Sequence, residues 1–249
     1  MPNVRYKGRY DGGMPVVYDP QTGEVVNASA PVFFYDDFLG AGHTAIPTTV
    51  SSGSNWCAKI VKSAGNVTVG AVANGQTGQV ALVTDATNEK QDAVLYCFDQ
   101  RAYTVNIGLV YETRIQLGTI PTTGTKAVFG IAAAWADGQN NITQYLRFAV
   151  NGNGTLLCET QDGTTQLSVS SGVTIGTNSE WHVLRIDASD VTSIKFFIDG
   201  NPVATSTTFP FAATGANAQV QPYASVYKAS GISVGTVNLD YVAIWQNRA

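Results

Sequence analysis

Charged residues are scarce in this chain, and no run of basic residues is present. Asp, Glu, Lys and Arg make up 13% of the 249 residues, and the formal net charge is −4. A nucleic-acid-binding protein needs a basic stripe that contacts phosphates, so we expect no nucleic acid as a partner. No stretch approaches the roughly 18 consecutive apolar residues that cross a bilayer, so we also expect no membrane segment.

The amino-terminal residues MPNVRYKGRYDGG lack the apolar core and the small-residue cleavage site of a signal peptide. We therefore expect synthesis in a cytoplasm without export. The three cysteines, Cys57, Cys97 and Cys158, are odd in number, far apart and each within a strand-like run. This spacing predicts free, buried thiols, and with only two histidines in the chain we expect no metal site and no cofactor.

Alternating apolar and polar residues are the main pattern that is present. The clearest example is EWHVLRIDASDVTSIKFFIDGNPVATS, residues 180–206, which predicts two strands, a tight turn and a third strand. Asp199 and Gly200 form the turn signal, because Gly adopts positive φ without strain. Trp181, in this stretch, and Trp245 are expected to anchor the core.

Similar strand-like runs recur from residue 31 to the end of the chain, separated by turn residues such as those of Asn151–Gly154. We find no helical period longer than two turns and no linker. About fourteen short strands of this kind predict an all-β fold, a β-sandwich of two antiparallel sheets, over residues 31–249.

Four stretches in this range resemble the concanavalin A-like lectin and glucanase family. They are FYDDFLG, GLVYETRIQL, WHVLRIDAS with KFFIDG, and VNLDYVAIWQ, in the order that the family has them. The resemblance implies a jelly-roll sandwich. That fold hosts lectins, hydrolases, lyases and structural modules, so it does not fix an activity. The run LVTDATNEKQDAVLYCFDQRAYTVNIGLVYETRIQL is also similar to sandwich domains in structural proteins of tailed bacteriophages.

Residues 1–30 differ from the rest of the chain and are predicted to form a separate, partner-binding arm. Basic residues alternate with tyrosines, and a Gly-Gly-Met-Pro break leads into a predicted hairpin, Val16–Val26, whose turn is Asp19–Gly23. Two strands alone are marginally stable in water, so we expect the arm to contact another subunit or its own sandwich. The residues expected to bind the partner are Arg5, Tyr6, Lys7, Arg9, Tyr10, Val16, Val17, Tyr18, Val25 and Val26.

The sequence offers no catalytic constellation, and we expect no enzyme. A hydrolase on this fold needs an E-x-D-x-x-E strand whose two carboxyls stand about 5 Å apart for a retaining mechanism, and no such run is present. With only two histidines, the chain also has too few candidates for the base of a nucleophilic triad. Glu112 and Arg114 share a polar strand face, as in lyase-like sandwiches, but a cross-strand ion pair is the preferred interpretation.

Two binding sites remain open at this stage. Sugar sites combine an aromatic platform with Asn, Asp and Gly, and Trp135, Asp137, Asn140 and Tyr145 are the candidate glycan-binding residues. Oxygen ligands for calcium cluster at Asp137–Asn141, although turns select the same residues.

These features favour a non-enzymatic virion structural protein of a bacteriophage, a capsid decoration or cement protein anchored by its amino-terminal arm. The expected partners are the major capsid protein or other virion subunits, with further copies of the chain in a homo-oligomer. The alternative is a carbohydrate-binding, lectin-like module on a virion or cell surface, and a glycan hydrolase or lyase is a more remote third interpretation.

Overall fold

The computed structural model describes residues 7–11, 14–18, 32–39, 45–50, 54–75, 77–152, 154–176 and 180–248, the first two ranges by their backbone. These ranges contain eighteen strands and three short 3-10 helices, Val105–Ile107, Gln139–Asn141 and Gly215–Ala218. The strands are β1 (Lys7–Asp11), β2 (Met14–Tyr18), β3 (Val32–Asp36), β4 (Cys57–Val61), β5 (Thr68–Ala71), β6 (Val80–Thr84), β7 (Gln91–Tyr96), β8 (Tyr103–Thr104), β9 (Leu109–Thr119), β10 (Thr125–Ala132), β11 (Gln144–Val150), β12 (Thr155–Asp162), β13 (Gln166–Thr174), β14 (His182–Ala188), β15 (Lys195–Ile198), β16 (Asn201–Val203), β17 (Gln219–Lys228) and β18 (Gly235–Gln246).

Sixteen of these strands form two antiparallel sheets of eight strands each, which confirms the predicted sandwich. The front sheet has the order β13-β12-β11-β10-β17-β7-β4, with β8 paired to β17. The back sheet has the order β16-β15-β14-β9-β18-β6-β5, with β3 paired to β18. In both sheets runs of consecutive strands adjoin strands from distant parts of the sequence, such as β10 beside β17 and β9 beside β18, as in a jelly roll.

The core lies between the two sheets and is built by the alternation of side chains along each strand. On β11, Leu146 and Phe148 face the back sheet and are fully buried. Phe148 contacts Phe196 of β15 edge to face, with ring centroids 5.2 Å apart. Such aromatic pairs add about 1 kcal/mol beyond the area they bury, so this contact helps to hold the layers together.

The turn predicted at Asp199–Gly200 is in place. Asp199 and Gly200 separate β15 from β16 with φ of 51° and 78°, as the Asp-Gly signal requires. Cys57 and Cys158 are free and buried as predicted, and Cys97 is free but only partly buried.

The prediction for two tryptophans is wrong. Trp181 and Trp245 are both half-buried, and neither belongs to the core. The reason is the same alternation, because Val242 and Ile244 of β18 point inward and Trp245 therefore points outward.

In the amino-terminal arm, β1 pairs with β2 in a separate two-stranded sheet. The hairpin brings together six of the ten predicted partner-binding residues, namely Lys7, Arg9, Tyr10, Val16, Val17 and Tyr18. Arg5, Tyr6, Val25 and Val26 lie outside the described residues, as does the turn predicted at 19–23. The sequence predicted that Val16–Tyr18 pairs with the stretch at Val25–Val26, which lies outside the described residues. Among the described residues, Val16–Tyr18 pairs with β1 instead.

Candidate functional site

The outer face of the front sheet, the face turned away from the core, carries the most unusual group of side chains in the described residues. Period-two alternation places Arg147 of β11 between Leu146 and Phe148, so its side chain points away from the core. Glu159 of β12 lies directly opposite Arg147 in the antiparallel register. Both side chains are buried, with 1% and 2% of their surface exposed, although they lie outside the core.

The segment from Ala133 to Thr143, which joins β10 to β11, covers part of this face. Its short helix brings Gln139 over the sheet, where Nε2 donates to Oγ of Ser225 at 2.5 Å and to the carbonyl of Lys126 at 3.1 Å. Arg147 Nη1 donates in return to the carbonyl of Gln139 at 3.0 Å. These contacts fix the segment, called here the covering loop, against the sheet.

Glu159 is the centre of a buried ionic network. Its carboxylate accepts from Arg147 Nε at 2.8 Å and from Lys126 Nζ at 2.8 and 3.0 Å, and Ser168 Oγ donates to it at 3.0 Å. Burial alone would raise the pKa of Glu159, but Arg147 and Lys126 outweigh it and hold this pKa below its usual value. The guanidinium of Arg147 also lies 3.7 Å from the ring centroid of Tyr145.

Asp92 of β7 is a second acid on this face, and among the described residues no basic side chain lies within hydrogen-bonding distance of it. Its Oδ1 accepts from Ser225 Oγ at 3.0 Å, and its Oδ2 lies 3.5 Å from the indole nitrogen of Trp135. Burial raises the pKa of Asp92 to about 7, because a carboxylate loses its hydration there and gains only neutral donors. Near neutral pH this carboxyl is therefore partly protonated.

This arrangement does not resemble the machinery of a glycoside hydrolase. Retaining hydrolysis uses two carboxyl groups about 5 Å apart that flank a bound sugar. Glu159 is occupied by two cations and Asp92 is buried beneath the covering loop. Among the described residues, no three His, Cys, Asp or Glu side chains converge as they would around a metal ion.

The predicted glycan-binding residues lie on or beside the covering loop, but they do not share one surface. Asp137 and Asn140 are exposed, Trp135 is half-buried, and Tyr145 is fully buried with its hydroxyl accepting from Gln166 Nε2 at 2.9 Å. Lys59 Nζ lies 4.8 Å from the centroid of the Trp135 ring. A sugar at this position would therefore contact the edge of the covering loop rather than Tyr145.

The candidate calcium ligands at Asp137–Asn141 are engaged in contacts within the protein. The Asp137 carboxylate accepts from Lys90 Nζ at 2.5 Å, and its carbonyl accepts from Asn141 Nδ2 at 2.5 Å. The ammonium group of Lys90 thus already neutralises the carboxylate that a calcium ion would need as a ligand.

Glu112 and Arg114 lie on the outer face of the back sheet, and both interact with β18. Arg114 Nη1 pairs with Asp240 Oδ2 at 2.7 Å across the strands, whereas Glu112 accepts from the Tyr241 hydroxyl at 2.8 Å. The cross-strand ion pair expected for Arg114 is present, with Asp240 as its partner. The guanidinium also lies 4.8 Å from the centroid of the Trp181 ring, which accounts for the partial burial of that tryptophan.

The ionic network around Glu159 was not predicted from the sequence. The available signal was a charged residue within an apolar strand, Arg147 in YLRFAV and Glu159 in LLCETQ. A charge in such a position needs an ionic partner if it is buried from water. That the covering loop would bury it depends on contacts between distant residues, which local patterns do not reveal.

No protein-family model matches the chain, and no curated protein matches it. Solved structures do match in fold. An uncharacterised protein, SO2946 from Shewanella oneidensis MR-1, superposes with a TM-score of 0.60 at 13% identity and covers 89% of this chain and 90% of its own. A beta-1,3-glucanase from Mycobacterium marinum gives 0.55 at 15% identity, covering 88% and 100%. The carbohydrate recognition domain of Emp47p gives 0.52 at 14% identity, covering 84% and 97%.

These likenesses establish the fold as a concanavalin A-like jelly-roll sandwich of the glucanase and lectin type. At such identities they carry no activity over to this chain. Within the described residues, no helix has the length and apolar character needed to cross a bilayer.

Proposed function

We propose that the protein is a non-enzymatic structural subunit of a bacteriophage virion, a capsid decoration protein that its amino-terminal arm attaches to neighbouring subunits. The observation that carries this proposal is the β1–β2 hairpin, which pairs with neither large sheet among the described strands. A two-stranded sheet is marginal in water, so the hairpin needs an additional surface to be stable. Extended segments supply this by adding main-chain hydrogen bonds to a neighbour.

The front sheet supports a non-catalytic function. Part of its outer face, where a sandwich can present a groove, is covered by residues 133–143. The buried carboxylate of Glu159 is neutralised within the protein, since it pairs with both Arg147 and Lys126. The virion assignment itself depends on the sequence similarity to sandwich domains of tailed-phage structural proteins.

Virion incorporation of a chain that lacks residues 1–28 tests the proposal. We expect the truncated protein to retain cooperative thermal unfolding, because the hairpin belongs to neither sheet, and to be lost from purified particles. Incorporation at the level of the full chain would contradict the proposal. Turnover of β-glucan or alginate by the full chain would contradict the non-enzymatic assignment.

Carbohydrate binding is the second candidate. It is favoured by the half-exposed Trp135 beside the exposed Asp137 and Asn140, which together provide a ring and polar groups at the edge of the covering loop. A glycan array probed with the full chain and with Trp135→Ala tests it. We expect any specific signal to disappear in Trp135→Ala, and a signal that is unchanged would exclude this site.

A further inference from the structure

The edges of a β-sheet expose unpaired backbone groups, and most proteins protect them with charges, prolines, bulges or short strands. The front sheet ends on one side at β13, QLSVSSGVT, which has nine residues and contains neither a charged residue nor a proline. It pairs only with β12 among the described strands. This edge is unusually open for a protein that remains monomeric.

The other edge strands are less suitable for pairing. β4 contains Lys59, and the amide of Ala58 already donates to the carbonyl of Pro47 at 2.8 Å. β16 has three residues and includes Pro202, and β5 has four residues. β3 has five residues but contains Asp36. Among the described strands, β13 therefore offers the longest edge without a protecting residue.

The regular part of β13 has a defined length. Leu157 pairs with Ser170, but Thr155 pairs with Thr174, so β13 bulges between these positions. In the bulge, Gly172 has φ of 76°, and its amide donates to Ser170 Oγ at 3.2 Å. Bulges interrupt pairing, so a strand can be added along the five residues Gln166–Ser170.

The hydrogen-bond alternation shows which groups of β13 are free. The amide of Asp162 donates to the carbonyl of Thr165, so these two residues form a hydrogen-bonded pair. Such pairs alternate with non-hydrogen-bonded pairs in an antiparallel ladder, which makes Glu159–Ser168 a non-hydrogen-bonded pair. The backbone N–H and C=O of Ser168, and those of Gln166 and Ser170, therefore point away from β12.

The hairpin provides a strand of matching length. β1 and β2 each have five residues, and Asp11 pairs with Met14 across two intervening residues. A two-residue loop is closed by a hydrogen-bonded pair, so Gly8 and Tyr10 of β1 direct their N–H and C=O groups outward. On β2, the corresponding outward positions are Pro15 and Val17, and Pro15 has no N–H. The edge of β1 is therefore the one with a full set of donors.

We infer that β1 of one copy adds to β13 of a second copy, so that the chain is at once the donor and the acceptor of a strand. This inference depends on the proposed attachment through the arm and names the surface that receives it. The association links a hairpin edge to a different site on the next copy. Such a contact is heterologous, and it gives a ring or a reciprocal dimer when the rotation between copies closes.

Sedimentation velocity of full-length variants tests the inference. In the acceptor, Ser168→Pro removes an outward N–H, and Ser168→Ala is its matched control because both lose the hydroxyl bond to Glu159. In the donor, Gly8→Pro and Gly8→Ala form the equivalent pair. We expect both proline variants to weaken self-association at least tenfold and both alanine variants to associate like the unmodified chain.

A mixture of the two proline variants gives the decisive result. Ser168→Pro keeps its donor strand and Gly8→Pro keeps its acceptor edge, so the two should form a 1:1 complex although neither associates alone. Recovery of this complex also shows that both variants are folded. A mixture that stays monomeric, a monomeric unmodified chain, or undiminished association of Ser168→Pro would overturn the inference.

The same variants separate this inference from the proposed function. If Ser168→Pro self-associates normally while Gly8→Pro is lost from virions, the arm attaches elsewhere and only the β13 assignment fails. If Gly8→Pro enters virions at the same level as Gly8→Ala, both the β13 assignment and the attachment through the arm are wrong.

Discussion

Replacing Asp92 with Asn should remove a large pH-dependent part of the protein's stability. Asp92 is fully buried, and burial raises its pKa from 3.8 to about 7. An acid whose pKa is higher in the folded state binds its proton more tightly there. Its stabilising contribution is therefore complete below about pH 3.8, and is lost as the pH rises through about 7.

The shift of about 3 pH units corresponds to roughly 4 kcal/mol, at about 1.4 kcal/mol per unit. Asn has the shape of the protonated carboxyl and does not ionise, and its oxygen can still accept from Ser225 Oγ. The free energy of unfolding of Asp92→Asn, relative to that of the unmodified chain, should therefore increase by about 4 kcal/mol between pH 4 and pH 8.

Urea unfolding of both proteins at pH 4, 6 and 8 measures this difference. Asp137→Asn is the matched control, because Asp137 is exposed and solvent screens its surface ion pair with Lys90, so this change should alter the unfolding free energy little at any of these pH values. If the unfolding free energies of Asp92→Asn and the unmodified chain stay parallel within 1 kcal/mol, the environment assigned to Asp92 is incorrect.

Three further changes test the packing and the loops. Gly130→Ala places a Cβ 2.7 Å from the Cα of Arg147 and should lower the free energy of unfolding in urea by about 1–3 kcal/mol. Gly70→Ala is the control: its Cβ has no neighbour within 4 Å, so the free energy of unfolding should change by less than about 0.5 kcal/mol. The pKa of Glu89 is lowered to about 2 by the hydrogen bond from Gln91 and by the amides of residues 63–65. The unmodified chain should therefore lose stability as the pH falls from 4.5 to 2. Glu89→Gln should lose less stability over the same pH window, measured by thermal unfolding. Lys228→Met removes three hydrogen bonds to the carbonyls of residues 85, 87 and 231 and should cost at least about 2 kcal/mol, measured by urea unfolding; a loss under 0.5 kcal/mol would contradict this role.

The sandwich was predictable because its strands carry local signals. The alternation in residues 183–198 favours extended strands, and Asp199–Gly200 favours a tight turn. Accordingly β14 and β15 form within the alternating residues, and β16 follows the turn. The same alternation, applied strictly, would also have placed Trp245 outside the core. Its size and apolar character favoured a core position, but Ile244 already fills the inward position.

The outer face of the front sheet was less predictable. Arg147 and Glu159 lie on adjacent strands twelve residues apart, and the turn signal at Asn151–Gly154 makes their pairing foreseeable once each strand is placed. Their burial is another matter, because it depends on Gln139 reaching Ser225, 86 residues further along the chain. No local pattern specifies a contact between a loop and a strand at that separation.

A cryo-EM map of the native assembly tests the attachment through the arm most directly. We expect density for residues 7–11 to continue the front sheet of a neighbouring copy beyond Gln166–Ser170. Density that places this strand against its own sandwich, with β13 uncovered in every copy, would contradict it.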